Sequence, residues 1–267
     1  MLKQRLITAS ILATLAVTSV LLLPSAGFGV VLLAFILVCA WEWGGLLFRP
    51  AGQIAYCLLI AGLIGVAWHL LEYRIFIRST VLCACLFWCY VLLCLWRYSL
   101  NPYISSTPAW AAAGLMTLLP LWVILMDLHR STVLGPAYVL FLMVLVAGAD
   151  SSAYFAGRRW GRHKLAPRLS PGKTREGALA ALAVNLVLAP AGAALLGIGA
   201  WLPFLLICLV TTVFSIVGDL FESMLKRQHT AKDSGALLPG HGGLLDRMDS
   251  LTAAAPVFLA GLSGLLP

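Results

Sequence analysis

Residues 201–249 read WLPFLLICLVTTVFSIVGDLFESMLKRQHTAKDSGALLPGHGGLLDRMD. Their first part, 201–222, is an apolar run of roughly 20 residues, the length a helix needs to cross a bilayer. Their second part, 223–249, is the longest stretch of sustained polar and charged content in an otherwise apolar chain. It sets Lys226, Arg227, Lys232 and Arg247 beside Asp233, Asp246 and Asp249, and it holds the glycine-rich turn Gly240-His241-Gly242-Gly243. A bundle of membrane helices has no structural reason to collect both signs of charge and flexible backbone in one place. Phosphate chemistry with a divalent cation has one. Carboxylates hold the cation, Lys and Arg neutralise phosphate oxygens, and glycines let backbone N–H groups approach an anion.

Composition extends the first part of that reading to the whole chain. Of 267 residues, 61% are hydrophobic and 10% charged, against about 25% charged in soluble domains. Strands of a membrane barrel alternate apolar and polar residues over about 10 positions. Here the apolar runs last roughly 20. The fold class is therefore all-α, a polytopic integral membrane protein with about nine transmembrane helices. The spans fall near 6–23, 28–48, 51–71, 75–96, 110–127, 133–156, 177–199, 201–222 and 250–266. The first follows Lys3 and Arg5 but is too long for a signal peptide and is read as an uncleaved helix. The seven cysteines lie inside apolar segments without a CxxC pair, as small packing residues. Residues 1–130 form N-terminal helices of unassigned role. Residues 131–267 form a catalytic region with polar loops 157–176 and 223–249.

Lys and Arg set the expected orientation. With the N-terminus in the cytoplasm, all but Arg74, Arg78 and Arg130 of the 18 basic residues fall on the cytoplasmic side. Both polar loops then face the cytoplasm, where nucleotides are available, and the C-terminus lies outside. The net charge of +8 suits anionic partners.

Acidic residues at the ends of spans sharpen the site. Asp150 closes the run VLFLMVLVAGAD, and Asp219 and Glu222 lie in IVGDLFES. Such groups at membrane depth face a bundle interior or a cavity. If the eighth helix continues to Arg227, then Ser215, Asp219, Glu222, Ser223 and Lys226 form one stripe. Pro239 and the glycines break that helix, and a new one starts near Leu244 or Leu245. Asp246 and Asp249 then share a face of its first turn, Asp249 being the better candidate for a mere cap. Asp219 and Asp246 are expected to hold Mg²⁺, and His241 to contact a phosphate or ribose or to order the turn. In the other loop, Ser170-Pro171-Gly172-Lys173-Thr174-Arg175-Glu176-Gly177 lacks the spacing of a P-loop. Lys173 and Thr174 are still expected at a triphosphate. Arg158, Arg159 and Arg162 read as membrane anchors. Glu42, between Trp41 and Trp43 inside the second span, is a weaker candidate, as are Glu72, Asp127, His69 and His129.

The pattern Ser223, Lys226-Arg227, Lys232-Asp233, His241-Gly242-Gly243 and Asp246-Arg247-Met248-Asp249 resembles the signature of the phosphatidate cytidylyltransferases, the CDP-diacylglycerol synthases. Asp150-Ser151 with Tyr154, and the run from Ser170 to Gly177, look like that family's upstream elements. The N-terminal half adds only hydropathy to the likeness. The resemblance implies that CTP and phosphatidate give CDP-diacylglycerol and pyrophosphate in phospholipid biosynthesis. The lipid phosphate would attack the α-phosphorus of CTP in line, without a protein nucleophile. Metal binding falls to Asp219 and Asp246, with Glu222, Asp249 and Asp150 as further ligands or support. Lys226, Arg227, Lys232 and Arg247 would hold phosphates, with Ser223, Lys173, Thr174, His241, Gly242 and Gly243 binding substrate. A clamp of two Mg²⁺ ions would fit the chemistry.

The implied partners are the two substrates and membrane lipid, with no nucleic acid. A homodimer accords with the general preference for symmetric homo-oligomers. The implied location is a bacterial cell (inner) membrane. A transporter would spread its polar residues through the bilayer, whereas these cluster on one face. A polyprenol or dolichol kinase would transfer a phosphoryl group rather than a nucleotide. The paired DGxxAR…GxxxDxxxD motif of CDP-alcohol phosphotransferases is absent.

Overall fold

The computed structural model describes residues 2–100, 106–131, 134–235, 237 and 242–265. Among the described residues nine helices match the nine expected segments: α1 (Leu2–Leu22), α2 (Ser25–Leu47), α3 (Pro50–Leu70), α4 (Arg74–Leu100), α5 (Thr107–Arg130), α6 (Gly135–Trp160), α7 (Arg175–Leu195), α8 (Trp201–Gln228) and α9 (Leu245–Leu262). Seven of them, α2 to α8, are long and apolar enough to cross a membrane. The chain is an all-α polytopic membrane protein. In lipid each helix satisfies its own backbone, which is why run length alone located these elements. Two prolines open helices where a missing N–H costs nothing: Pro50 in α3 and Pro108 in α5.

One element was not expected. The loop after α6 forms a hairpin of β1 (Lys164–Ala166) and β2 (Ser170–Thr174), paired antiparallel. Strand β2 is the Ser-Pro-Gly-Lys-Thr run itself.

The chain divides into two compact units whose segments interleave in sequence. The first comprises residues 1–80, 105–140 and 225–248. Here α2 packs on α1, α3 and α5. Between such helices van der Waals fit and hydrogen bonds replace the hydrophobic effect as the glue. Indole and phenol donors supply the bonds. Trp43 donates to the Trp110 carbonyl (3.1 Å), Tyr56 to that of Ala111 (3.0 Å) and Trp122 to that of Gly29 (3.1 Å). Gly114 lets Trp43 and Tyr56 lie against α5. A Cβ there would fall 2.3 Å from the Tyr56 hydroxyl.

The second unit comprises residues 81–104, 141–224 and 249–267. Its interior holds Phe141, Phe204 and Phe258 in mutual ring contact, and Trp88 edge-on to Phe221. Buried Asn185 donates to the Leu145 carbonyl (3.2 Å) and to the Thr212 hydroxyl (2.6 Å), tying α7 to α6 and α8. The cysteines form no disulfide, and Cys39 and Cys208 are buried in packing positions.

Candidate active site

In the second unit, α8 presents its acidic stripe to protein rather than to lipid. Ser215 and Glu222 are buried and Asp219 is half-buried. Gly218 brings α8 against the start of α9. A Cβ at this position would lie 2.4 Å from the Asp249 carbonyl oxygen, so the two backbones touch. Buried Asp249 shares a side-chain hydrogen bond with Glu222 and lies within electrostatic reach of Asp219 and Lys173. Carboxylates this close repel one another unless a positive charge lies among them, so the cluster is a natural seat for one. Lys173, near the end of β2, provides such a charge, with its Nζ 2.5 Å from Asp219 Oδ2.

The hairpin aims that lysine. Thr174 ends β2 and caps α7, its hydroxyl accepting the Gly177 N–H (3.1 Å). Glu176, in the first turn of α7, reaches back to the His163 backbone N–H (3.2 Å) and ring Nδ1 (2.7 Å). Thr174, expected at a triphosphate, has a buried side chain whose oxygen serves the helix start. Asp150 does not end α6, which continues to Trp160. It stands exposed within the helix and accepts a bond from the Ser250 hydroxyl (3.3 Å).

The first unit holds the glycine turn and the start of α9. Asp246 Oδ2 accepts the N–H of Gly243 (2.9 Å) and that of Ser234 (3.2 Å), while Oδ1 meets Lys226 Nζ at 2.5 Å. The bond from Gly243 is the reach-back half of a capping box. The capping role expected of Asp249 thus belongs to Asp246, and Asp249 is the residue packed beside Glu222. Gly242 has φ +79°, open to glycine at little cost, and a Cβ there would fall 2.8 Å from Asp246 Oδ2. The turn does bring backbone N–H groups to anions, as its composition predicts. Those from Gly243, Leu244 and Leu245 go to the protein's own carboxylates.

Glu42 is the second of those carboxylates. It is buried in α2 and accepts from the Leu244 N–H (3.0 Å), the Leu245 N–H (2.8 Å) and the Ser234 hydroxyl (3.3 Å). An acid inside an apolar span was the available signal, but nothing local to Trp41-Glu42-Trp43 names a target some 200 residues away. Of the other expected residues, Arg227, Lys232 and Arg247 are exposed and Ser223 is half-buried on α8. His241 lies outside the described residues.

Among the described residues no group of three or more His, Cys, Asp or Glu is spaced as a ready-made metal cage. Each unit by itself offers carboxylate oxygens, donors that suit a hard cation: Asp219 balanced by the Lys173 ammonium in the second, and Asp246 by that of Lys226 in the first.

Comparison with known proteins places these residues in context. The profile of the cytidylyltransferase family matches residues 3–263. A phosphatidate cytidylyltransferase from Pseudomonas aeruginosa is 42% identical over 97% of this chain and 96% of its own. One from Haemophilus influenzae is 33% identical over 97% of each chain. One from Bacillus subtilis is 44% identical over 46% of each.

Proposed function

The chain belongs to the cytidylyltransferase family and is a nucleotidyltransferase, and from that premise we propose that it transfers the cytidylyl group of CTP to phosphatidate. The products are CDP-diacylglycerol and pyrophosphate. The observation that carries this reading is the pair of lysine–carboxylate contacts within the two motif regions, Lys173 with Asp219 and Lys226 with Asp246, each at 2.5 Å. A lysine held on a carboxylate is charged and pointed. Such a lysine would be placed to neutralise a phosphate oxygen, and the carboxylate beside it to hold a metal ion.

On this reading a phosphate oxygen of phosphatidate forms a bond to the α-phosphorus of CTP. The bond from that phosphorus to the bridging oxygen of the β-phosphate breaks, and pyrophosphate leaves with the electron pair. No protein nucleophile takes part. The chain's work is positioning and charge neutralisation. Lys173, Lys226, Arg227, Lys232 and Arg247 neutralise phosphates. Asp219, Glu222, Asp249, Asp246 and Asp150 would supply oxygen ligands for Mg²⁺, one ion or two. Bound there, Mg²⁺ would offset charge on the phosphates as the bond changes hands. Acyl chains stay in lipid beside a membrane-embedded enzyme, which suits a water-insoluble substrate. We place the polar loops and the N-terminus on the cytoplasmic side of the cell membrane, the C-terminus outside, and take the enzyme as a homodimer.

The test is purified protein in detergent with phosphatidate, Mg²⁺ and CTP labelled at the α-phosphate. Label in the lipid phase, matched by pyrophosphate release, is the expected result. Label transferred only from the γ-phosphate would replace this reading with a lipid kinase.

A further inference from the structure

The loop between α8 and α9 carries Lys232, Asp233 and the glycine turn, and both of its ends are fastened to helices of the N-terminal half. At the α9 end, Glu42 of α2 takes the N–H groups of Leu244 and Leu245 (3.0 and 2.8 Å) and the hydroxyl of Ser234 (3.3 Å). At the α8 end, Trp110 of α5 donates its indole N–H to Gln228 Oε1 (3.1 Å), and Trp43, the neighbour of Glu42, donates to the Trp110 carbonyl (3.1 Å). Two glycines let the loop close on Glu42. A Cβ on Gly235 would lie 2.7 Å from its Oε1, and one on Gly243 would lie 2.5 Å from its Oε2.

We propose that Glu42 is a positioning residue for cytidylyl transfer, a buried anion that holds the α8–α9 loop so that Asp246 and Lys226 are presented in register. This rests on the function proposed above. Ser234 transmits the grip. Its hydroxyl goes to Glu42 while its N–H goes to Asp246, so the two carboxylates hold one residue from either side. The remaining contacts agree. Gly243 gives its N–H to Asp246, and the next two N–H groups go to Glu42. These amides are the orphan donors of the first turn of α9, and a carboxylate at that end is favoured by the helix dipole as well as by the bonds. A carboxylate is needed because each of these three partners donates and none accepts. Glutamine has the same shape but would turn an NH₂ toward one of those donors. The N-terminal helices, to which the sequence assigned no role, thereby acquire one.

The test compares Glu42→Gln and Trp110→Phe with the wild type, in detergent, by peptide-level hydrogen exchange and by steady-state kinetics. Glu42→Gln should exchange about tenfold or more faster over residues 234–248. Its kcat should fall about ten- to a hundredfold, while KM for CTP stays within about threefold and helical content is unchanged. Trp110→Phe removes a single N–H and should loosen residues 228–235 with a smaller loss of kcat. Unchanged exchange in both variants overturns the anchoring. Faster exchange with wild-type kcat overturns the positioning role. If the wild type transfers no cytidylyl group, the function proposed above fails, and the exchange data still decide whether Glu42 holds the loop.

Discussion

Asp246→Asn asks whether a carboxylate or merely a cap is needed at the start of α9. Asn keeps one oxygen, which can still accept from Gly243 and Ser234 in place of Oδ2. It then turns an NH₂ toward Lys226 Nζ, where Oδ1 stood at 2.5 Å. The pair is largely dry, with side-chain exposures of 15% for Lys226 and 8% for Asp246, so solvent screens little of the loss. A hydrogen bond to a charged group contributes about 1.5–3 kcal/mol. At 1.36 kcal/mol per decade this is roughly a 10- to 160-fold change. Exchange over residues 234–248 should speed up by that factor, and kcat/KM for CTP should fall by at least as much, since Asp246 also loses its charge toward a cation. Adding Lys226→Met to Asp246→Asn should speed exchange little more, because in holding the turn the two act as a unit. Normal turnover and normal exchange in Asp246→Asn would refute both the ion-pair reading and the assignment of Asp246 to the site.

The second unit yields parallel expectations. Asp219→Asn should abolish most turnover while the unfolding midpoint in detergent barely moves, because its pair with Lys173 is partly solvent-screened; a full-rate variant would remove Asp219 from the metal ligands. Gly218→Val should destabilise the protein by about 1–3 kcal/mol through overpacking against the Asp249 carbonyl, and an unshifted midpoint would show that the backbones do not touch there. Lys232→Ala, altering an exposed side chain, should raise KM for CTP and leave membrane insertion intact; an unchanged KM would exclude it from nucleotide binding. Thorough chelation should stop turnover and Mg²⁺ restore it, whereas turnover that survives chelation rejects the metal.

Much of the fold was legible in the residues because lipid makes helix formation a local matter. A run of some 20 apolar residues must close its own backbone bonds, whatever its neighbours do. The stripe Ser215, Asp219, Glu222 was legible for the same reason, since helical spacing fixes which side chains share a face. The candidate polar residues were likewise readable from 223–249, as residue types suited to phosphate. What each does was not. Asp246 and Asp249 sit three apart on one helix and look interchangeable, yet one caps the turn and holds Lys226 while the other is buried beside Glu222. Thr174 reads from its loop only as a candidate phosphate ligand, and the hairpin gives it the further job of capping α7. Glu42 looks like an isolated acid until the loop 200 residues later closes over it. In each case the deciding partner is distant in sequence or set by a turn whose shape depends on packing. By itself the sequence determined the helices and the kind of chemistry; the tertiary structure alone decided which carboxylate answers to which donor, because hydrogen bonds between distant segments leave no local periodicity to read.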